Sequence, residues 1–229
     1  MAHKSQPHSF GSIEVRTPLV VPGQRIGVMG GSFNPPHEGH LIVARTALKR
    51  LQLDWLWWLV TPGNPLKTHD DLAPLDARMS AIRSMTSDPR MVLTSFEDQL
   101  GTPYTAATLS FLKLRYRSAR FVWVMGADNL ATFHRWQRWR DVATTMPFAV
   151  VDRPGWCLAA LASPAARVLA KYRIDEANAS SLALCQPPAW TFLTTRLSPL
   201  SSTELRSRGV TVVAEKPRSG IETVKIAAI

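Results

Sequence analysis

The run Gly30-Gly31-Ser32-Phe33-Asn34-Pro35-Pro36-His37-Glu38-Gly39-His40 joins two segments of different period. Before it, Arg25-Ile26-Gly27-Val28-Met29-Gly30 is a short apolar block ending in glycine, which predicts a buried strand. After it, Glu38 to Leu51 carries Leu41, Val43, Ala44, Ala47, Leu48 and Leu51 at close to helical spacing. The run is therefore a loop between a strand's carboxyl end and a helix's amino end. Gly30 and Gly31 let the backbone approach a ligand closely. Pro35-Pro36 stiffens the loop and sets φ just ahead of the helix. The first helical turn offers free N–H groups and a positive dipole end to an anion. His37 and His40, three apart, fall on nearly one face, where two imidazoles can donate to phosphate oxygens.

Several common signatures are excluded. The loop has neither G-x-G-x-x-G nor G-x-x-x-x-G-K-[ST]. The zincin pattern H-E-x-x-H needs histidines four apart, and no third ligand is near, so the reading is no metal site in the protein.

Outward from this loop, short apolar runs alternate with helix-period segments. Strands are predicted at 54–61, 90–94, 120–125, 147–151 and 190–194, and helices at 75–85, 105–116 and 202–208. The Ala-rich stretch 158–172 is a helix candidate interrupted by Pro164. Alternation of this kind predicts an α/β fold, Rossmann-like and doubly wound, with a mostly parallel sheet and helices on both faces. Ligands bind such sheets at the carboxyl ends of the strands, which places Gly30, Thr61 and Gly126 on the functional edge. Residues 1–24 read as a flexible extension, 25–208 as the domain and 209–229 as a tail.

Composition fits this. The chain has 229 residues, 45% hydrophobic and 19% charged, enough to bury a core without disulfides. Cys157 and Cys185 are too few for a disulfide framework. No apolar run approaches the roughly 18 residues of a membrane span, and no secretory h-region opens the sequence, so a cytoplasmic location is expected. The net charge is +10, spread along the chain. That favours phosphorylated ligands; a nucleic-acid-binding protein is a remote alternative that leaves the His pair unexplained.

The pattern Gly31-x-Phe33-x-Pro35-x-His37-x-Gly39-His40 resembles the signature of the HxGH nucleotidylyltransferase superfamily. The resemblance implies that His37 and His40 stabilise the α-phosphate region of ATP, with Gly30, Gly31, Ser32 and Phe33 lining the phosphate loop. Leu197-Ser198-Pro199-Leu200-Ser201-Ser202-Thr203-Glu204-Leu205-Arg206 is similar to the superfamily's second motif, I-S-S-T-x-[IL]-R. Ser201, Ser202, Thr203 and Arg206 are then expected to hold the departing β,γ-phosphates.

Three more segments resemble those of bacterial nicotinate-nucleotide adenylyltransferases: Pro62 to Lys67, Tyr104 to Leu109, and Gly126-Ala127-Asp128 through Trp136. The resemblance implies transfer of AMP from Mg²⁺-bound ATP to nicotinate mononucleotide. It makes Lys67 a cation near the triphosphate and places Asn64, Thr105, Asp128, Trp136 and Arg153 around the acceptor. A pyridine ring needs a flat apolar partner; Trp136 is first choice and Trp139 competes. One departure stands out: Ala107 occupies the place of an Asp common in the Y-T-x-D-T-L segment. A pantetheine-phosphate adenylyltransferase is the nearest rival, and nicotinate against nicotinamide is left open. Nothing in the sequence sets an oligomeric state.

Overall fold

The computed structural model describes residues 16–62, 72–102, 104–195, 202–212 and 226–228. Its centre is a six-stranded sheet of β1 (Arg25–Gly31), β2 (Trp55–Val60), β3 (Met91–Thr94), β4 (Arg120–Gly126), β5 (Phe148–Val151) and β6 (Trp190–Leu193). Spatial order is β3-β2-β1-β4-β5-β6, and every pairing is parallel. The chain winds outward from β1 to β3, then returns to β1's other edge with β4. The order reverses between β1 and β4, the switch point at which such sheets open a crevice.

Helices α1 (Glu38–Arg50), α2 (Leu75–Met85), α3 (Thr105–Arg115), α4 (Ala127–Thr132) and α5 (Trp139–Thr145) follow the strands. Side chains of successive strand residues alternate between two cores. On one face Ile26, Val28, Trp57, Trp123 and Phe148 pack with Leu109 and Leu112 of α3 and Val142 of α5. On the other, Met29, Trp58, Val122 and Val124 pack with Leu41, Ala44 and Leu48 of α1 and Ile82 of α2. Strands buried on both faces read as continuous apolar runs, as in Trp55-Leu56-Trp57-Trp58-Leu59-Val60.

The Ala-rich stretch forms two short helices, α6 (Cys157–Leu161) and α7 (Pro164–Val168). Pro164 cannot continue α6 but suits a first helical turn, and Ser163 caps it by accepting from Ala166 N–H at 3.2 Å. After β6 come α8 (Ser202–Ser207) and β7 (Val210–Val212), which pairs antiparallel with β8 (Ile226–Ala228). Val212 packs on Ala77 and Ala81 of α2. Residues 1–15 of the predicted extension lie outside the described residues; 16–24 lie along the domain, with Arg16 N–H on Gln99 Oε1 at 2.6 Å and Gly23 N–H on the Ser118 carbonyl at 2.8 Å.

Gly30 is fixed by packing. A Cβ there would collide with the indole of Trp123, which lies across β1 from β4. Gly30→Ala is expected to lower unfolding free energy by about 1–3 kcal/mol, as overpacking does; an unchanged denaturation midpoint would show that the indole moves aside freely.

Candidate active site

The loop between β1 and α1 sits at the switch point, and α1 begins with an unusual cap. His37 is the N-cap, with extended backbone (φ −151°, ψ 170°). Its Nδ1 accepts the Gly39 N–H at 3.1 Å, while His40 Nδ1 accepts the His37 N–H at 3.2 Å. This is the reciprocal arrangement of a capping box, built from two imidazoles in place of a hydroxyl and a carboxylate. It fixes both tautomers: a nitrogen that accepts from the backbone carries no proton, so each neutral ring carries its hydrogen on Nε2. The rings lie 3.9 Å apart between centroids.

His37 is 4% exposed, and its Nε2 has no hydrogen-bond partner among the described residues. Burial, and secondarily the positive charge of Arg153, push its pKa down to about 4. His37 is therefore a neutral donor at pH 7. Arg153, predicted near the acceptor, thus comes close to the His pair. It also faces Asp128, Nε to Oδ1 3.7 Å. Both side chains lie over Gly126, where a Cβ would meet the Asp128 carboxylate and come within 2.8 Å of Arg153 Cδ. Glycine at the end of β4 leaves room for the pair.

Phe33 adopts left-handed backbone (φ 48°), a conformation that costs a non-glycine residue about 1–3 kcal/mol. Its ring meets Trp58 at 5.1 Å and the edge of His40 at 5.0 Å. The motif phenylalanine is thus a packing strut for His40, buried at 3% exposure.

The loop is clamped from two sides. From α2, Arg78 donates to the carbonyls of Ser32 (2.7 Å), Thr61 (2.8 Å) and Ala73 (2.8 Å). It is 1% exposed, and burial pulls its pKa below the usual arginine value. Asn34 adds a bond, accepting the Ala73 N–H at 3.2 Å. From α8, the Ser202 hydroxyl donates to the Pro35 carbonyl at 2.9 Å and Arg206 Nη1 donates to the Asn34 carbonyl. Ser202 and Arg206, predicted as phosphate ligands, are here bonded to the loop between β1 and α1. Sequence reasoning missed Arg78 and Asn34. The signal for Arg78 was present: it falls on the apolar stripe of α2 with Ala81 and Ile82, where an unpaired charge would be costly.

Of the predicted residues, the structure brings together Gly30, Gly31, Ser32, Phe33, His37, His40, Asp128, Arg153, Ser202 and Arg206. Thr105 opens α3, and Trp136 follows a 3₁₀ turn at Phe133–Arg135; both belong to elements covering the face opposite α1. Trp136 is half-buried, edge-on to Phe133 at 5.3 Å. Trp139 opens α5 and is 8% exposed, with Arg140 over its ring at 4.5 Å. Of the two tryptophans, Trp136 is the more accessible. Asn64, Lys67 and Ser201 lie outside the described residues, as does the side chain of Thr203. Among the described residues no group of three or more His, Cys, Asp or Glu could hold a metal ion, and no helix is long and apolar enough to cross a membrane.

The depressed His37 pKa has a signed consequence. Between pH 6.5 and about 4 the unfolded chain takes up a proton that the folded imidazole refuses, so stability falls as pH falls through that window. His37→Asn keeps a capping side chain but removes the titration. Its unfolding free energy is expected to lose less between pH 6.5 and 4 than that of the unsubstituted protein; equal losses in denaturant titrations would contradict the assignment.

Comparison with known proteins agrees with this geometry. Residues 28–208 match the model of the cytidylyltransferase-like family. The chain is 57% identical over 182 residues to the "Probable nicotinate-nucleotide adenylyltransferase" of Rhizobium meliloti (strain 1021), covering 80% of this chain and 97% of that one. It is 56% identical over 184 residues to the protein of the same name from Methylorubrum extorquens (strain PA1), covering 80% and 100%. In fold it is similar to Plasmodium falciparum nicotinic acid mononucleotide adenylyltransferase complexed with NaAD, at TM-score 0.60 and 17% identity, covering 82% of this chain and 84% of that one. A cytidylyltransferase-like domain across 28–208, and relatives more than half identical over nearly their whole length, place this chain in the nicotinate-nucleotide adenylyltransferase family.

Proposed function

We propose that the protein transfers the adenylyl group of ATP to nicotinate mononucleotide, releasing pyrophosphate and forming nicotinate adenine dinucleotide. The observation that carries this reading is the imidazole capping box. It spends both Nδ1 atoms on the backbone, sets the hydrogen of each ring on Nε2, and leaves the buried His37 Nε2–H without a partner among the described residues. A helix start with a buried neutral imidazole donor at His37, and Arg153 beside it, suits a phosphate that gains charge as it reacts.

The acceptor's phosphate monoester is largely dianionic near pH 7, its second pKa being about 6. It needs no general base. One of its oxygens attacks the α-phosphorus of ATP, a new P–O bond forms, and the bond to the bridging oxygen of pyrophosphate breaks opposite it. The protein's work is alignment and charge stabilisation. His37 and His40 donate to the α-phosphate. Arg153, and Lys67 from the segment that follows β2 in sequence, supply positive charge. Gly30, Gly31, Ser32 and Phe33 shape the phosphate cradle, and Ser201, Ser202, Thr203 and Arg206 hold the leaving pyrophosphate. In this role Ser202 and Arg206 exchange or share their present bonds to the Pro35 and Asn34 carbonyls. Mg²⁺ enters as the counter-ion of ATP and is part of that substrate, in keeping with its preference for phosphate and water ligands.

For the acceptor, Trp136 stacks on the pyridine ring, and Asn64 and Asp128 contact the rest of the mononucleotide. Thr105 lies at the start of α3, whose N-cap residue Tyr104 makes no side-chain cap bond. The N–H groups of that first turn suit the ring carboxylate.

The test is pyrophosphate release from Mg-ATP with nicotinate mononucleotide, nicotinamide mononucleotide or 4′-phosphopantetheine. Fastest release with nicotinate mononucleotide is expected; release with phosphopantetheine alone would overturn the acceptor assignment. His40→Ala is expected to lower kcat by roughly 10²–10³-fold, the scale of losing an oriented donor to a developing charge. Near-normal kcat in that variant would remove His40 from the chemistry.

A further inference from the structure

Glu97 lies between β3 and the Asp98–Leu100 turn, and its side chain is 3% exposed. Oε1 accepts the hydroxyl of Thr108 at 2.5 Å, and Thr108 is itself fully buried. Oε2 is buried with no hydrogen-bond partner among the described residues. Thr108 is three residues beyond Thr105 on α3, so the two share a helix face one turn apart. The Thr108 hydroxyl also reaches the Tyr104 carbonyl at 3.5 Å.

Two proton arrangements fit these positions. With Glu97 ionised, Thr108 donates to Oε1. With Glu97 protonated, the acid donates to Thr108 Oγ1, and the Thr108 hydrogen turns to the Tyr104 carbonyl. The two differ by one negative charge beneath the first turn of α3. That turn contains no acidic residue, since Ala107 stands where the resembled segment has Asp. An ionised Glu97 would draw on the same positive helix end as an anionic ligand.

We propose that Glu97 is a specificity-setting positioning residue: its buried carboxyl must be protonated for the start of α3 to receive an acidic ring substituent, while a neutral amide is indifferent to it. This rests on the placement of the acceptor's carboxylate beside Thr105. Burial pushes Glu97 up to about 7 against the opposing Thr108 bond. Around it, α3 presents the Thr108 hydroxyl, and Phe96 links its segment to Trp57 of β2. The neighbouring ionisable groups along the chain are Asp98, which is exposed, and Tyr104, which is 39% exposed. Arg16 approaches the turn through its backbone bond to Gln99. None of these charged groups is among the causes of the shift.

The experiment measures KM and kcat between pH 6 and 9 for both mononucleotides, with the unsubstituted protein and Glu97→Gln. For nicotinate mononucleotide, KM should be flat below about pH 7 and rise above it, by up to tenfold per unit, with kcat steady. For nicotinamide mononucleotide it should stay flat throughout. Glu97→Gln should flatten the nicotinate profile. The inference is overturned if Glu97→Gln keeps the rise, or if both acceptors show the same rise in the unsubstituted protein. The second comparison needs no variant, so it decides even if Glu97→Gln fails to fold. Absence of turnover with nicotinate mononucleotide at every pH would instead overturn the acceptor reading itself.

Discussion

Each imidazole of the His37–His40 pair gives its Nδ1 to a backbone N–H at the start of α1, and the rest of the site is arranged around that exchange. A serine–glutamate capping box would satisfy the same N–H groups but put a negative carboxylate at the helix's amino end, where it would compete with an anion. Histidine has a second nitrogen on the far side of the ring, so the cap that starts the helix also places the unpartnered His37 Nε2–H at its positive end. In the proposed reaction, structure and chemistry share one pair of side chains. The cap fixes the tautomer, and burial keeps His37 neutral, so the donor state is set by folding and needs no proton from solvent.

Such a pair needs a rigid base. The loop before it carries a phenylalanine in left-handed backbone and presents carbonyls at Ser32, Asn34 and Pro35. Those carbonyls lie at the switch point, beyond the reach of the sheet's own ladder. Arg78 takes the first, and α8 takes the other two. Using the five-donor guanidinium of Arg78 to satisfy three carbonyls on separate segments ties the ends of β1 and β2 to the entry of α2. Chain segments about 170 residues apart therefore meet at one loop. The second motif, around Ser202 and Arg206, is built into the site by bonds to the first.

The net charge of +10 gives no hint of this economy. Many arginines are exposed, whereas the informative ones are not: Arg78 is buried, and Arg153 is drawn in against Asp128 beside His37. Glu97 is an acidic counterpart, a buried carboxyl bonded to Thr108 of α3. Position relative to the strand ends, more than the sum of charge, distinguishes these groups from the basic surface.

The sequence by itself determined the alternation of strands and helices, the glycine-ended first strand and the histidine pair. These are local properties: hydrophobic period, turn chemistry and residue type over a few positions. Six of the motif positions could be read without knowing what they touch. The tertiary structure alone decided which groups hold the loop, which of Trp136 and Trp139 is accessible, and that Glu97 and Thr108 meet beneath α3. The Ala-rich stretch shows the boundary within one segment. Pro164 announced a break, but whether it ended a helix or began another depended on Ser163 capping the next turn. Burial and long-range hydrogen bonds come from packing, and packing joins residues whose separation along the chain carries no period to read.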